Sequence, residues 1–269
     1  MKQERIFLYS DRKDVYIDVY KADPVMGKVC DGLLVIPGGG YDMVYSGREG
    51  EPVALNFLAK GYNTFILHYS VAQKSKFPQP LIDASLAMKH IKDNCNEYNI
   101  NPDRVFVMGF SAGGHLSLSL GTMWDTKEIY DAVDMPYGYN KPKGIVLGYP
   151  VVSGLVKDTH FHSFQNITGQ ENPGEDELVK YSHEKLINKN TPPMYIMATS
   201  TDEQVSVRNA LALASALTEA GVLYELHIFK DAIHGMSLAN RVSNDGEKFK
   251  IDNMIAHWTV EADEWMQNI

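Results

Sequence analysis

From Gly32 onward the chain alternates short apolar runs with longer stretches of helical spacing, and this alternation constrains its fold more than any other feature. Residues 32–36, 62–68, 104–108, 144–149, 193–198 and 223–229 are short apolar or aromatic runs, of the kind a parallel sheet buries on both faces. Between them, residues 49–60 end at Gly61 and residues 207–220 end at Gly221, the usual helix stop. A helix from Pro80 to about Tyr98 carries Leu81, Ala84, Leu86, Met88 and Ile91 as an apolar face, and residues 113–123 form another helical run. Asn101-Pro102-Asp103 predicts a turn before the run at 104–108. Residues 5–9 and 15–20, parted by polar residues 10–14, predict a leading hairpin, and residues from 247 to the end a closing helix. The sum is an α/β architecture: about eight strands, mostly parallel, with helices on both faces.

Composition limits what such a chain does. With 25 Lys+Arg against 34 Asp+Glu, the net charge of −9 argues against a nucleic-acid partner, which calls for a basic surplus. A chain of 269 residues buries a sizeable core without staples, and its two cysteines, Cys30 and Cys95, are expected as free thiols. No Cys/His cluster suggests a metal, and no apolar stretch approaches the roughly 18 residues of a spanning helix. The first ten residues do not resemble a signal peptide, so the expectation is a cytoplasmic protein without a membrane partner. Residues 151–191 show weak periodicity and read as an insertion over the carboxyl edge of the sheet. The whole chain, 1–269, therefore reads as one domain.

The densest chemical signal is Gly109-Phe110-Ser111-Ala112-Gly113, between an apolar strand and a helical run. Chance alone gives about 0.1 G-x-S-x-G match in a chain of this length. A serine on a sharp strand-to-helix turn needs small residues two positions to either side, and the turn projects its hydroxyl from the sheet's carboxyl edge. The alternative is a glycine-rich turn with a capping serine. Pro37-Gly38-Gly39-Gly40-Tyr41 also follows a buried strand, and such a loop presents amides to a reacting oxygen. The amides of Gly39, Gly40 and Ala112 are the expected oxyanion hole, with the register among Gly38–Gly40 open by one position. A base belongs on the loop after the last strand, where His234 sits, and an acid on the loop after the preceding strand, where Asp202 is the candidate and Glu203 the alternative. His227 lies within a strand and His115 one helical turn past Ser111, so both read as structural. His160, His162 and His183 read as solvated loop residues, with a cleft lining as the alternative. Tyr41, Phe110, Phe161 and Phe164 are the candidates for a substrate pocket.

These motifs resemble the α/β-hydrolase fold serine esterases, in the branch related to hormone-sensitive lipase and to acetyl-xylan or feruloyl esterase-like proteins. Tyr16–Tyr20, Ile36–Tyr41, Pro80–Ala84, Gly109–Leu116, Thr191-Pro192-Pro193 with Thr199 and Asp202–Val205, and His234–Ala239 carry the resemblance over nearly the whole chain. It implies a Ser111–His234–Asp202 triad, no metal or organic cofactor, and a small-molecule ester as substrate. With only about 40 irregular residues and no large lid, short acyl groups from acetyl to butyryl on a polar alcohol such as a sugar are expected. Pro37 stands where many relatives carry His, and Ser206 where many carry Pro; both leave the substrate open. Relatives are sometimes called xylanases, but no pair of glycosidase carboxylates is identified here. Two rivals are a serine peptidase of the oligopeptidase type, which usually carries a propeller that these 269 residues leave no room for, and a non-catalytic binding protein on the same fold. A homo-oligomer formed through an exposed sheet edge is compatible with the sequence.

Overall fold

The computed structural model describes residues 2–23, 27–244, 246 and 251–269. Its strands are β1 (Lys2–Phe7), β2 (Tyr16–Lys21), β3 (Cys30–Ile36), β4 (Tyr62–His68), β5 (Ile100–Phe110), β6 (Ile145–Gly148), β7 (Met194–Thr199) and β8 (Tyr224–Phe229). They form one eight-stranded sheet in the order β1-β2-β4-β3-β5-β6-β7-β8. The pairs β1·β2 and β2·β4 are antiparallel, and every other pair is parallel.

The helices are α1 (Glu51–Ala59), α2 (Gln79–Asp93), α3 (Cys95–Tyr98), α4 (Ser111–Thr122), α5 (Lys127–Ala132), α6 (Phe161–Thr168), α7 (Glu175–Lys180), α8 (Arg208–Ala220), α9 (Asn253–Ala256) and α10 (Trp258–Gln267). Strand side chains alternate between two faces, which decides where each helix packs. Val105 and Val107 of β5 join a core with Leu81 and Met88 of α2 and Leu116 and Leu120 of α4. Phe106, Met108 and Phe110 face the other way, onto Val53 and Phe57 of α1 and Trp258 and Met266 of α10. Ile145, Leu147, Met194 and Ile196 extend the first face toward Leu213 and Leu217 of α8. Both faces of the central strands are therefore buried, as their continuous apolar runs require.

The strand order changes direction at β3. The chain runs from β3 to β4 on one side, then returns to place β5 on the other side, pairing Ile36 with Gly109. In open α/β sheets, ligands bind at the carboxyl ends where the order reverses. Here that point lies between the loop after β3 and the start of α4.

Three expectations change in detail. The helix expected from Pro80 to Tyr98 breaks at Asn94 into α2 and α3, with the Asn94 side chain donating to the His90 carbonyl at 2.8 Å. The turn expected at Asn101-Pro102-Asp103 is an irregularity inside β5, where pairing jumps from Cys30 with Ile100 to Gly32 with Val105. Its turn chemistry survives locally, since Asn101 Oδ1 accepts the Asp103 amide at 3.0 Å. The expected closing helix begins partly outside the described residues, at 247–250; the described part is α9 and α10. Cys30 and Cys95 are free and half-buried. Among the described residues no helix is long and apolar enough to cross a membrane.

Candidate active site

Ser111 opens α4 directly from β5, with no connecting loop. To make that corner it adopts φ 52, a left-handed backbone that a non-glycine residue takes only where its surroundings impose it. The corner explains the two flanking glycines. A Cβ on Gly109 would lie 2.2 Å from Ser117 Oγ and 2.3 Å from the Gly113 carbonyl oxygen, and a Cβ on Gly113 would lie 2.1 Å from the Ile36 carbonyl oxygen. The backbones of β3, β5 and α4 meet there too closely for any side chain.

His234 lies on the loop after β8 and Asp202 on the loop after β7. His234 Nε2 is 2.9 Å from Ser111 Oγ, and His234 Nδ1 is 2.7 Å from Asp202 Oδ2. The other Asp202 oxygen accepts the amides of Gln204 and Val205, each at 2.9 Å. A carboxylate so placed only accepts, so Nδ1 carries the proton and Nε2 presents its lone pair to the serine hydroxyl. All three side chains are nearly buried. The His234 loop is fixed by α10, whose Trp258 indole donates to the Ser237 carbonyl at 2.9 Å.

Gly39 and Gly40 line the cleft above Ser111. The Gly38 amide is already engaged, donating to Glu49 Oε2 at 2.8 Å. Among the described residues no protein group accepts from the Gly39 or Gly40 amide. The Ala112 amide lies in the first turn of α4, where amides have no intrahelical acceptor. The cleft is about 500 Å³, and Asp42, Met43 and Tyr45 of the loop after β3 form one wall. His160 and His162, just before and within α6, form another, with Glu49, Gln204 and Gly235 closing the floor. Asp42 pairs with His162, which raises the His162 pKa, and Asn166 of α6 donates to the Gly40 carbonyl at 2.8 Å. Burial pushes the His160 pKa down. Among the described residues no three His, Cys, Asp or Glu side chains converge to hold a metal ion.

The aromatic pocket candidates lie elsewhere. Tyr41, Phe110 and Phe164 are fully buried. Tyr41 turns inward at φ 64 and meets His115 Nδ1 at 2.8 Å. Phe110 ends β5 on the face packed by α10, against Tyr149 and Trp258. Phe164 packs edge-on to His115, and the partly exposed Phe161 does not line the cleft. The cleft lining is mixed instead, with Met43 and Tyr45 beside the polar Asp42, Arg48, His160 and His162. Of the insertion histidines, His160 and His162 reach the cleft, while His183 is fully buried beside His115, with ring centroids 4.3 Å apart. The expectation of solvated loop histidines fails for His183, because α7 and the turn after it fold down onto α4. Glu49, read only as the start of a helix, is a buried carboxyl whose pKa is raised by burial and drawn back by the Gly38 amide and the Tyr149 hydroxyl.

Comparison with known proteins follows the same lines. The BD-FAE family profile matches residues 17–217. A protein named endo-1,4-beta-xylanase B from Butyrivibrio fibrisolvens is 38% identical over 217 residues, covering 78% of this chain and 33% of that protein. An acetylxylan esterase from Xylanibacter ruminicola is 31% identical over 206 residues, covering 76% and 40% respectively. The chain thus spans two-fifths or less of these relatives' length. A solved acetyl ester-xyloside bifunctional hydrolase from Caldicellulosiruptor lactoaceticus superposes with a TM-score of 0.83 at 33% identity, over 98% of this chain and 96% of that one.

Proposed function

Because the chain belongs to the BD-FAE family and has the α/β-hydrolase fold, we propose that it is a serine esterase that cleaves short-chain, acetyl-type esters of carbohydrates. One observation carries the reading: Ser111, His234 and Asp202 form a continuous hydrogen-bonded line, of which Ser111 and His234 line an open cleft.

The chemistry follows from that line. Ser111 Oγ attacks the ester carbonyl carbon while His234 Nε2 takes its proton. Asp202 holds the imidazole in the required tautomer and stabilises the imidazolium. The carbonyl oxygen becomes an oxyanion facing the Gly39, Gly40 and Ala112 amides; one such donor is worth about 3–4 kcal/mol in well-studied cases. The intermediate collapses, the C–O bond to the alcohol breaks, and His234 returns the proton to the departing oxygen. Water, deprotonated by His234, then cleaves the acyl-enzyme to the free acid and Ser111.

The polar groups of Asp42, His160 and His162 in the cleft suit a hydroxyl-rich alcohol, and the names of the relatives favour acetylated xylan fragments over lipids. The xylanase name belongs to a longer protein, of which this chain matches a third. The test is a panel of acetylated xylo-oligosaccharides and p-nitrophenyl esters of two to twelve acyl carbons, with wild type and Ser111→Ala side by side. Acetate release from the sugars, a rate falling with acyl length and an inert Ser111→Ala are expected. Retained hydrolysis in Ser111→Ala sinks the mechanism, and rates rising steadily to twelve carbons sink the short-chain assignment.

A further inference from the structure

Glu49 has no part in the ester chemistry derived above, yet it is only 4% exposed and lines the same cleft as Ser111 and His234. It comes from a π-helical turn, Ser46–Gly50, immediately before α1; such turns are rare and often found at functional sites. Its Oε2 accepts the Gly38 amide at 2.8 Å, and its Oε1 accepts the Tyr149 hydroxyl at 2.8 Å. The Tyr149 oxygen accepts the Ser237 amide at 3.0 Å. An amide only donates, so the Tyr149 proton is directed to Glu49, and the carboxylate receives one donor on each oxygen.

Four segments are joined through this side chain, Gly38 and Tyr149 directly and Ser237 by way of Tyr149. Gly38 precedes Gly39 in the oxyanion loop, Tyr149 follows β6, Ser237 stands three residues past His234, and Glu49 leads into α1. The Tyr149 ring also stands edge-on against the His234 ring, with centroids 4.9 Å apart. There is no slack at the junction, since a Cβ on Gly38 would lie 2.8 Å from both Glu49 Oε2 and Ser111 Cβ. Tyr149 and Ser237 both hold left-handed backbones, φ 37 and φ 50. Such a backbone is unfavourable for a non-glycine residue and persists only where its surroundings over-determine it. Two of the chain's left-handed non-glycine residues are thus the ones that deliver the Tyr149 hydroxyl and the Ser237 amide to this junction.

We propose that Glu49 is a positioning residue for ester hydrolysis: through Gly38 and Tyr149 it holds the oxyanion loop and the His234 loop in mutual register. The proposal rests on the esterase reading of Ser111. Its consequence is specific to the transition state, because the oxyanion amides and the imidazole act together only on the tetrahedral centre. A residue serving stability alone would alter the melting temperature and leave turnover intact.

The test compares Glu49→Gln, Tyr149→Phe, the double variant and Ser111→Ala on p-nitrophenyl acetate, together with binding of a phenylboronic acid, which adds to a reactive serine as a tetrahedral anion. In Glu49→Gln the amide nitrogen must face either the Gly38 amide, which it opposes, or Tyr149, whose proton then loses its acceptor, so the two charge-assisted bonds of the carboxylate are not reproduced although the volume is kept. The expected result is a 10- to 100-fold lower kcat, with KM within about three-fold of wild type. Boronate affinity should weaken in proportion to kcat/KM, and the double variant should be no worse than the poorer single one. A kcat within two-fold of wild type in Glu49→Gln, or losses that multiply in the double variant, overturns the proposal. If Glu49→Gln does not fold, Tyr149→Phe decides alone by the same kcat and boronate criteria. Ser111→Ala separates the two readings. Activity surviving there refutes the esterase mechanism itself, whereas an inert Ser111→Ala beside a fully active Glu49→Gln refutes only the positioning role.

Discussion

At the scale of single residues, the site depends on which proton each atom holds. Asp202 accepts from Nδ1 and so leaves Nε2 free to accept from Ser111. Asp202→Asn keeps the shape but offers an amide donor that favours the wrong tautomer. A fall in kcat of about 10³–10⁴-fold is expected with the fold intact, measured by steady-state kinetics beside circular dichroism. His227 is the control. It stacks on Tyr195 at the far edge of the sheet and lies between Glu225 and Glu261. His227→Ala should change kcat/KM by less than about three-fold, and a larger loss than in His234→Ala would mean the base is misassigned. Ser111, Asp202 and His234 were legible in the sequence because each sits where a strand ends, and strand ends are marked by apolar runs and turn residues. Glu49 was not legible. A glutamate ahead of a helix is ordinarily a solvated first-turn residue, and only the meeting of Gly38, Tyr149 and Ser237 around it makes it a buried one. The aromatic pocket candidates failed for a related reason. An aromatic side chain beside a catalytic residue has either face of the sheet open to it, and Tyr41, Phe110 and Phe164 all turn to the core.

At the scale of elements, the central strands and the helix after Ser111 were readable from period and punctuation. The short helices α5, α6 and α7 were not, since six to eight residues hold two turns at most and carry little periodicity. What holds the insertion down is a polar anchor. His115 of α4 meets Tyr41 of the oxyanion loop through Nδ1 and the Tyr181 carbonyl, at the end of α7, through Nε2 at 2.9 Å. A carbonyl only accepts, so Nε2 carries the proton and the Tyr41 hydroxyl donates to Nδ1. Tyr41→Phe therefore leaves a fully buried acceptor unpaired. A loss of about 1–3 kcal/mol in unfolding free energy is expected, read from urea denaturation as a lower midpoint at unchanged slope. An unchanged midpoint would show that the insertion is held by its apolar contacts alone.

At the scale of the whole molecule, alternation predicted a mostly parallel sheet, but not that β4 would lie between β2 and β3. Strand order is set by which crossover covers which face, and that information is spread over the chain. The same packing buries two adjacent histidines, His115 of α4 and His183 beside it, which ties global stability to pH. Burial lowers the His115 pKa to about 4 from the ordinary 6.5, and holds His183 well below its ordinary value, helped by the neighbouring His115. The unfolded chain has no such burial, so between pH 6.5 and 4 it binds protons that the folded protein refuses. Stability is then complete above pH 6.5 and declines as pH falls through the folded pKa, by about 1.4 kcal/mol per pH unit per histidine. His115 alone accounts for a loss on the order of 3 kcal/mol by pH 4. Glu49, whose pKa is raised by burial, acts in the opposite sense over the acid end of that window, because its folded form binds the proton more readily. Two histidines outweigh one carboxyl, so net acid destabilisation is expected. Urea midpoints at pH 7.5, 6.5, 5.5 and 4.5 for wild type and His115→Gln measure it. The variant should be the less stable protein at pH 7.5 and the one with the shallower decline toward pH 4.5. Parallel declines in the two proteins would place the acid sensitivity in other groups and remove the buried histidine pair from the account.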